Sequence, residues 1–417
     1  MFQLYNRNSL TLATLPNIPS FYYGTMRYMK ILIAADLHWP TINGVATFSR
    51  NLAKGLSARG HEVLVIAPSQ TGKSSEEYDG NYLIKRTMSV PFPFYQNFRI
   101  SPTPQREVHR IIKEFKPDVI HIQMALMIGY ATRSYGLKYN IPIVATNHAM
   151  PENLMDNMRL LAPISRPIQY FMTEYGARFH AKADYVTLPT QAAIDVFGED
   201  RIPAPLEPVS NGIDLGRFTP SAAKPAIYKE FGLPKSKQII SYIGRMDAEK
   251  HVGILLKAYA QIISDTNHLL VVGDGTDLEH MKNLAYSLGI NKQVTFTGRV
   301  SDEAIVELHK VGDVFCMPSP VELQCISLLE ALASGKPAVA VDAGAVGELC
   351  QNDINGFLCP KDDVDAIAKA LARILDDESL RKKFIKQSIA IAAKHDINYT
   401  LDRFEQIYKQ VIAAKTA

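Results

Sequence analysis

Two carboxylates and two cations carry the chemistry that this chain suggests. Glu322 and Glu330, with seven residues between them, stand in the run Ser319-Pro-Val-Glu-Leu-Gln-Cys-Ile-Ser-Leu-Leu-Glu-Ala-Leu-Ala-Ser-Gly335. The preceding Asp313-Val-Phe-Cys-Met-Pro318 reads as a buried strand, and the spacing of Ile326, Leu329, Leu332 and Ala333 predicts a helix packed on a sheet. Glu322 then lies in a strand-to-helix loop, and Glu330 lies about two turns further on. A helix start offers unpaired N–H groups and a positive dipole end, which suits a phosphate. One carboxylate before that position and one behind it suit a ligand with hydroxyls on both sides of a diphosphate, such as a nucleotide sugar. For the pair taken alone, the plain alternative is two solvent-facing acids on a surface helix.

Arg245 and Lys250 stand in Gly244-Arg-Met-Asp-Ala-Glu-Lys250, just past another strand-like run. Arginine can hold a phosphate in a bidentate way and lysine as a point charge, so the two can converge on one diphosphate. Asn43-Gly44 follows the first strand and opens a helix; a glycine there lets backbone approach a bound group. Gly273-Asp-Gly275 and Gly298-Arg-Val300 occupy equivalent strand-end positions, where Gly273 approaches a ligand and Val300 borders a base; plain turns are the alternative. His148, just past the run Ile143–Thr146, is placed to donate to a sugar hydroxyl or phosphate oxygen, or else is a structural loop histidine. His121, inside Asp118-Val-Ile-His-Ile122, reads as a core or supporting residue.

These loops need a scaffold with many strand ends on one side. Strands are expected at Ile31–Ala35, Glu62–Ala67, Val119–Ile122, Ile143–Thr146 and Tyr185–Leu188, then at Ile239–Ile243, Leu269–Val272, Val294–Thr297, Val314–Met317 and Ala338–Val341. Helices such as Val45–Arg59 and Gln105–Phe115 fall between them. Val/Ile-rich strands alternating with helices imply parallel sheets covered on both faces, and two such sets imply two doubly wound domains. Ligands of open α/β sheets bind at the carboxyl ends of strands, so the site is expected in the cleft between the domains. The boundaries read as a leader over 1–28, a first domain over 29–205, a proline-rich linker over 206–234, a second domain over 235–395 and a C-terminal segment over 396–417. In that last segment a helix over Leu401–Ala413 follows a break at His395–Tyr399, and it is expected to pack back on the first domain.

Composition narrows the class. At 417 residues, with 47% hydrophobic and 21% charged side chains, the chain is an ordinary globular protein, and a net charge of +3 gives no case for nucleic acid. Residues 29–205 hold about four more bases than acids, a balance suited to anionic lipid headgroups or simply to a solvated basic face. The four cysteines form no CxxC and no zinc-like spacing, which, with no signal-peptide pattern, points to a reducing cytoplasm. Met29-Lys-Ile-Leu-Ile reads as the natural start of the first strand, and the segment before it as disordered or as a mis-assigned start. No apolar run reaches the length of a membrane span. The mixed apolar and basic stretch Leu154–Tyr175 reads as an interfacial amphipathic surface or as core helix.

In this order, Asn43-Gly44-Val45, Asp118-Val-Ile-His121, Thr146-Asn-His148, Ser210-Asn-Gly-Ile-Asp214, Gly244-Arg245 with Glu249-Lys250, Gly273-Asp-Gly275 and Glu322-x7-Glu330 with its trailing Ala-Ser-Gly335 resemble glycosyltransferase family 4, from Met29 to about Tyr408. The resemblance implies the GT-B fold: two Rossmann-like, doubly wound parallel-sheet domains facing across a cleft. It implies retaining transfer of a hexose from a nucleotide-diphosphate sugar to a hydroxyl acceptor. Glu330 would bind the ribose hydroxyls and Glu322 the ring hydroxyls of the donor sugar. Arg245 and Lys250 would hold the diphosphate and stabilise the leaving group. Gly44, beside Asn43, would bring backbone to the phosphate, His148 would approach the donor sugar, and backbone N–H groups of Leu323, Gln324, Cys325 and Ile326 would contact sugar and phosphate.

Two departures qualify the resemblance. Where many members read Glu-Gly-Phe-Gly, this chain has Glu322-Leu-Gln-Cys325, in which Gln324 is free to bond donor or acceptor. Gln123 replaces the second histidine of the common His-x-His. No carboxylate stands where a covalent nucleophile would be needed, so a front-face path is expected, with charge stabilised by Arg245, Lys250 and a helix N-terminus. No cofactor or metal is expected; the one Asp-x-Asp, Asp363-Val-Asp365, reads as helix-start charge. The expected partners are a nucleotide sugar, a lipid or carbohydrate acceptor and an anionic membrane surface met peripherally. A soluble acceptor, a nucleotide-sugar 2-epimerase and a non-catalytic sugar-nucleotide binder are the alternatives.

Overall fold

The computed structural model describes residues 28–41, 43–92, 98–148, 165–198 and 201–416, with the backbone course alone for 165–169. The expected leader, except Tyr28, and the first half of Leu154–Tyr175 lie outside these residues.

The first sheet is built from β1 (Lys30–Ala34), β2 (Glu62–Pro68), β3 (Ser75–Asp79), β4 (Tyr82–Thr87), then, beyond a small hairpin of β5 (Val90–Pro91) and β6 (Arg99–Ile100), β7 (Val119–Ile122), β8 (Ile143–Thr146), β9 (Tyr185–Leu188) and β10 (Leu206–Pro208). Its order is β10-β9-β8-β7-β1-β2-β4-β3, parallel except for the β3–β4 hairpin. The second sheet contains β11 (Gln238–Ile243), β12 (Asn267–Val272), β13 (Val294–Phe296), β14 (Val314–Met317), β15 (Ala338–Val341) and β16 (Gly356–Cys359). Its order is β13-β12-β11-β14-β15-β16, all parallel.

Both orders reverse direction once. In the first sheet the reversal lies between β1 and β7, and in the second between β11 and β14. At such a switch point the connections leave toward opposite faces and open a crevice outside the carboxyl ends of the strands. The loops after β1 and β11 and the loop between β14 and the helix Ile326–Ala333 all leave from these two points.

Alternation along β1 shows why both faces are apolar. Ile31 and Ile33 pack on one side, while Leu32 and Ala34 pack on the other, each with its own cluster. The first side is closed by the C-terminal helix Ile397–Thr416, whose Leu401, Phe404, Ile407, Tyr408 and Val411 join Ile31, Ile33 and Phe48. The chain thus returns from the second sheet to complete the first domain. This helix begins earlier than its periodicity predicts. The break shrinks to the single residue Asp396, whose side chain accepts from Asn398 N at 2.8 Å.

Several elements were not legible in the sequence. β3 is an exposed, charged edge strand with no apolar alternation, although Asp79-Gly80 is a hairpin signal. β10 and the helix Pro225–Glu230 fall within the stretch read as linker, where prolines masked them: one proline ends the outer strand and another sits at a helix start. β16 opens on Gly356, where a Cβ would lie 1.9 Å from Ala338 O.

Candidate functional site

The helix Ile326–Ala333 begins without a side-chain cap and without an acid in its first turn. Its N–H groups therefore stay available to an anion. Across the cleft, the helix Gly44–Ala58 also has no acid in its first turn. The two starts are close: a Cβ built on Gly44 would lie 3.6 Å from Ile326 Cδ1. Asn43 is placed otherwise than expected of a ligand-binding residue. Its Oδ1 accepts from Ala46 N at 2.8 Å, which makes it a helix cap.

Lys250 reaches the loop before Ile326, where its Nζ donates to Glu322 Oε1 at 2.8 Å, and Glu249 Oε1 lies 3.7 Å away. Burial works against the charge on Lys250, but Glu322 and Glu249 outweigh it and hold its pKa above the ordinary lysine value. Arg245 is ion-paired to Asp247 and to the buried Glu249. The centre of the site therefore gathers Arg245 and Lys250 with Asp247, Glu249 and Glu322. Asp247 and Glu249 were missed as counter-ions in the sequence, because acids beside a basic loop look like ordinary surface charge.

The Gly273 loop serves this centre indirectly. Gly273 has φ +130°, and a Cβ there would lie 1.9 Å from Gly244 O; at Gly275 it would meet Met246 O at 2.3 Å. Met246 N donates to Asp274 O at 3.0 Å, and Thr276 donates from N and Oγ1 to Asp247 Oδ1, both at 3.0 Å. In this structure the close approach expected of Gly273 is thus to the backbone that carries Arg245. Gly344 does the same for Glu322: its Cβ would meet Glu322 O at 2.7 Å, and Ala345 N donates to that oxygen at 2.9 Å.

Glu330 sits within its helix and pairs through Oε2 with His309 Nε2 at 3.1 Å. His309 is fully buried against Phe218 and Phe315, with Nδ1 unpartnered, so it orients one oxygen of Glu330. Nothing in the sequence signalled this partner. Val300 packs partly against the second-domain core.

The loop after Glu322 differs from expectation. Gln324 is engaged within the protein: its Oε1 accepts from Asn211 N at 2.7 Å and its Nε2 donates to Ser210 Oγ at 2.9 Å. Leu323 packs against the first-domain cluster around Ile194 and Phe197, and its carbonyl accepts from Thr190 Oγ1 at 2.8 Å. The Cys325 side chain is buried in the second-domain core, where burial pushes its thiol well above the usual range, so only its backbone faces the helix start.

His148 leaves the end of β8 half-buried, with its ring 4.8 Å from that of Phe48. Its Nε2–H donates to Gln123 Oε1 at 3.0 Å, which leaves Nδ1 of the ring as an acceptor for a sugar hydroxyl rather than the donor expected from the sequence. Burial, then the neighbouring His180, lower its pKa to about 3, and the ring is neutral. His121 is a core residue as expected: Nδ1 meets Tyr408 OH at 2.6 Å and Nε2 meets Thr146 Oγ1 at 2.7 Å. Asp363 caps its helix through Ala366 N at 2.9 Å.

Two parallel-sheet domains whose switch points face each other across a cleft have the architecture of the GT-B fold. Residues 42–217 match the family model described as Glycosyltransferase Family 4, and residues 223–390 match Glycosyl transferases group 1. The chain belongs to glycosyltransferase family 4, and it is an enzyme of that class. It is 27% identical over 385 residues to alpha-monoglucosyldiacylglycerol synthase of Streptococcus pneumoniae, covering 90% of this chain and 86% of the other. It is 26% identical to phosphatidyl-myo-inositol mannosyltransferase of Mycolicibacterium smegmatis, covering 93% and 95%. Sucrose-phosphate synthase of Thermosynechococcus elongatus shares the fold at TM-score 0.76 and 19% identity, covering 93% of this chain and all of that one.

Proposed function

We propose that this enzyme transfers a hexose from a UDP-glucose- or GDP-mannose-type donor to a hydroxyl of a membrane lipid or glycolipid, with retention and without a metal. The observation that carries the reading is the Lys250–Glu322 pair beside an uncapped helix start, opposite Gly44. An incoming diphosphate competes with Glu322 for Lys250. Once released, Glu322 is free to bond the sugar hydroxyls, so one exchange of partners arms both sides. Glu330 holds the ribose, and His148 approaches the sugar from the first domain. The sugar–phosphate bond then breaks with its electron pair on the leaving phosphate. The acceptor oxygen bonds the same face of the sugar, and the acceptor proton passes to that phosphate. Arg245, Lys250 and the amides from Leu323 to Ile326 stabilise the developing charge.

The lipid acceptor is supported by the names of the two relatives above and by a surface of the first domain. Tyr170 and Phe171 are each 69% exposed on the helix Ser165–His180, and Tyr130 and Met127 are exposed on the helix Met127–Lys138, which meets it where Arg133 contacts Phe179. Beneath these side chains Arg133 is buried, stacked on Tyr130 and Phe179 and donating to Phe179 O at 3.0 Å. Exposed aromatics suit the headgroup region of a membrane met from the cytoplasmic side. No helix among the described residues is long and apolar enough to cross a membrane, so contact would be peripheral.

The test is nucleotide release from UDP-, GDP- and ADP-sugars, with and without vesicles of diacylglycerol and phosphatidylinositol. One donor is expected to be used, with release raised at least about tenfold by vesicles and protein co-sedimenting less at high salt. Lipid-independent release would move the acceptor to a soluble sugar, and epimerisation without acceptor would favour the 2-epimerase. Among the described residues no cluster of three or more His, Cys, Asp or Glu is placed to hold a metal. EDTA is expected to leave the rate within about twofold, because Arg245 and Lys250 would supply the charge on the leaving group. A loss of about tenfold that Mg²⁺ restores would overturn metal independence.

A further inference from the structure

The chain crosses between the domains twice, once at 208–213 and once at 395–397. The two crossings are joined: Ile213 N donates to His395 O at 2.7 Å, and Ile397 N donates to Ile213 O at 2.9 Å. Ser210 is their meeting point. Its carbonyl accepts from Thr400 Oγ1 at 2.9 Å, and its hydroxyl lies 2.9 Å from His395 Nδ1. Burial, then Lys394, lower the pKa of His395, so its ring is neutral and Nδ1 can accept from Ser210 Oγ.

Gln324 enters this junction from the Glu322 loop. Asn211 N is a donor, which requires Oε1 toward it and Nε2 toward Ser210 Oγ, so the amide orientation follows from the chemistry. The side chain is 7% exposed, so both bonds are made away from bulk water. Meanwhile Leu323 is held by Thr190 and the first-domain apolar cluster. Two consecutive residues after Glu322 therefore belong, by their contacts, to the other side of the cleft. A residue without a side-chain amide at 324 would lose both Gln324 bonds, whereas the Thr190 bond is made to the backbone carbonyl of residue 323.

We propose that Gln324 is a positioning residue that couples the donor loop Glu322–Cys325 to the hinge, so that the placing of Glu322 and of the helix start follows the angle between the domains. The kinetic consequence rests on the transfer reading; the mechanical one does not. Gln324→Met keeps the shape and removes both hydrogen bonds, and Ser210→Ala removes one partner. In hydrogen–deuterium exchange, Gln324→Met is expected to raise exchange about tenfold in segments 319–329 and 208–213 together. In steady-state kinetics with the donor found above, both variants are expected to lower kcat about tenfold or more with donor KM within about threefold, and the double variant is expected to be no worse than the poorer single one. Thermal melting checks that each variant folds.

Unchanged exchange, or exchange raised in only one segment, overturns the coupling whatever the activity. A raised KM at unchanged kcat, or additive effects of the two variants, would make Gln324 a plain ligand contact or a local brace and also overturn it. If the wild type releases no nucleotide from any donor, the transfer reading fails while the exchange measurement still decides the tether.

Discussion

Lys250→Ala is expected to lower kcat by about 10²–10³-fold, because the variant removes a positive charge aimed at the leaving diphosphate in a water-poor cleft. The side chain is 14% exposed and its partner Glu322 is 12% exposed, so neither is screened as surface charges are. Donor KM should change far less than kcat, since charge on the leaving oxygen grows only as the bond breaks. Lys250→Arg should recover only part of the loss, because a planar guanidinium does not replace a compact ammonium at 2.8 Å from Glu322 Oε1. Arg245 contributes its own share of that stabilisation and does not replace the lost ammonium, since its guanidinium is held by Asp247 and Glu249. A variant that keeps more than about a tenth of wild-type kcat would remove Lys250 from the leaving-group role.

Gly273→Ala is expected to cost about 2–5 kcal/mol of unfolding free energy and to abolish detectable transfer, through overpacking added to backbone strain. The new Cβ would lie 1.9 Å from Gly244 O, which is backbone, so no side chain can swing away to relieve it. Gly244 must shift, and Arg245 shifts with it. Gly289→Ala is the control. Its φ is +71° but no atom lies within 4 Å of the added Cβ, so its cost should stay near about 1 kcal/mol, with activity retained. Denaturant melts of the two variants separate contact from conformation. Equal costs would mean that the Gly244–Gly273 approach does not constrain the site.

The pattern of expectations met and missed has a physical cause. β7, β8, β9, β14 and β15 lie where the apolar runs predicted them, because a strand buried on both faces leaves an unbroken signal. β3 left none, since its side chains are exposed, and β10 and the helix Pro225–Glu230 were hidden by prolines that suit a strand end and a helix start as well as a linker. Among the site residues, Glu322, Lys250, Arg245 and Glu330 are gathered around one helix start and its neighbouring loop. The side chains of Asn43 and Gln324 have partners within the protein that the sequence did not signal.

By itself the sequence determined the class of fold, the strand ends that carry the chemistry and the residue types offered there. Those are local properties: periodicity reports burial, and burial places a loop at the end of a parallel strand. Only the tertiary structure decided which charges meet. Lys250 and Glu322 are 72 residues apart, Gln324 and Asn211 are 113 apart, and His121 and Tyr408 are 287 apart. Such pairings depend on how two sheets and a returning helix pack together, and no local spacing encodes that distance.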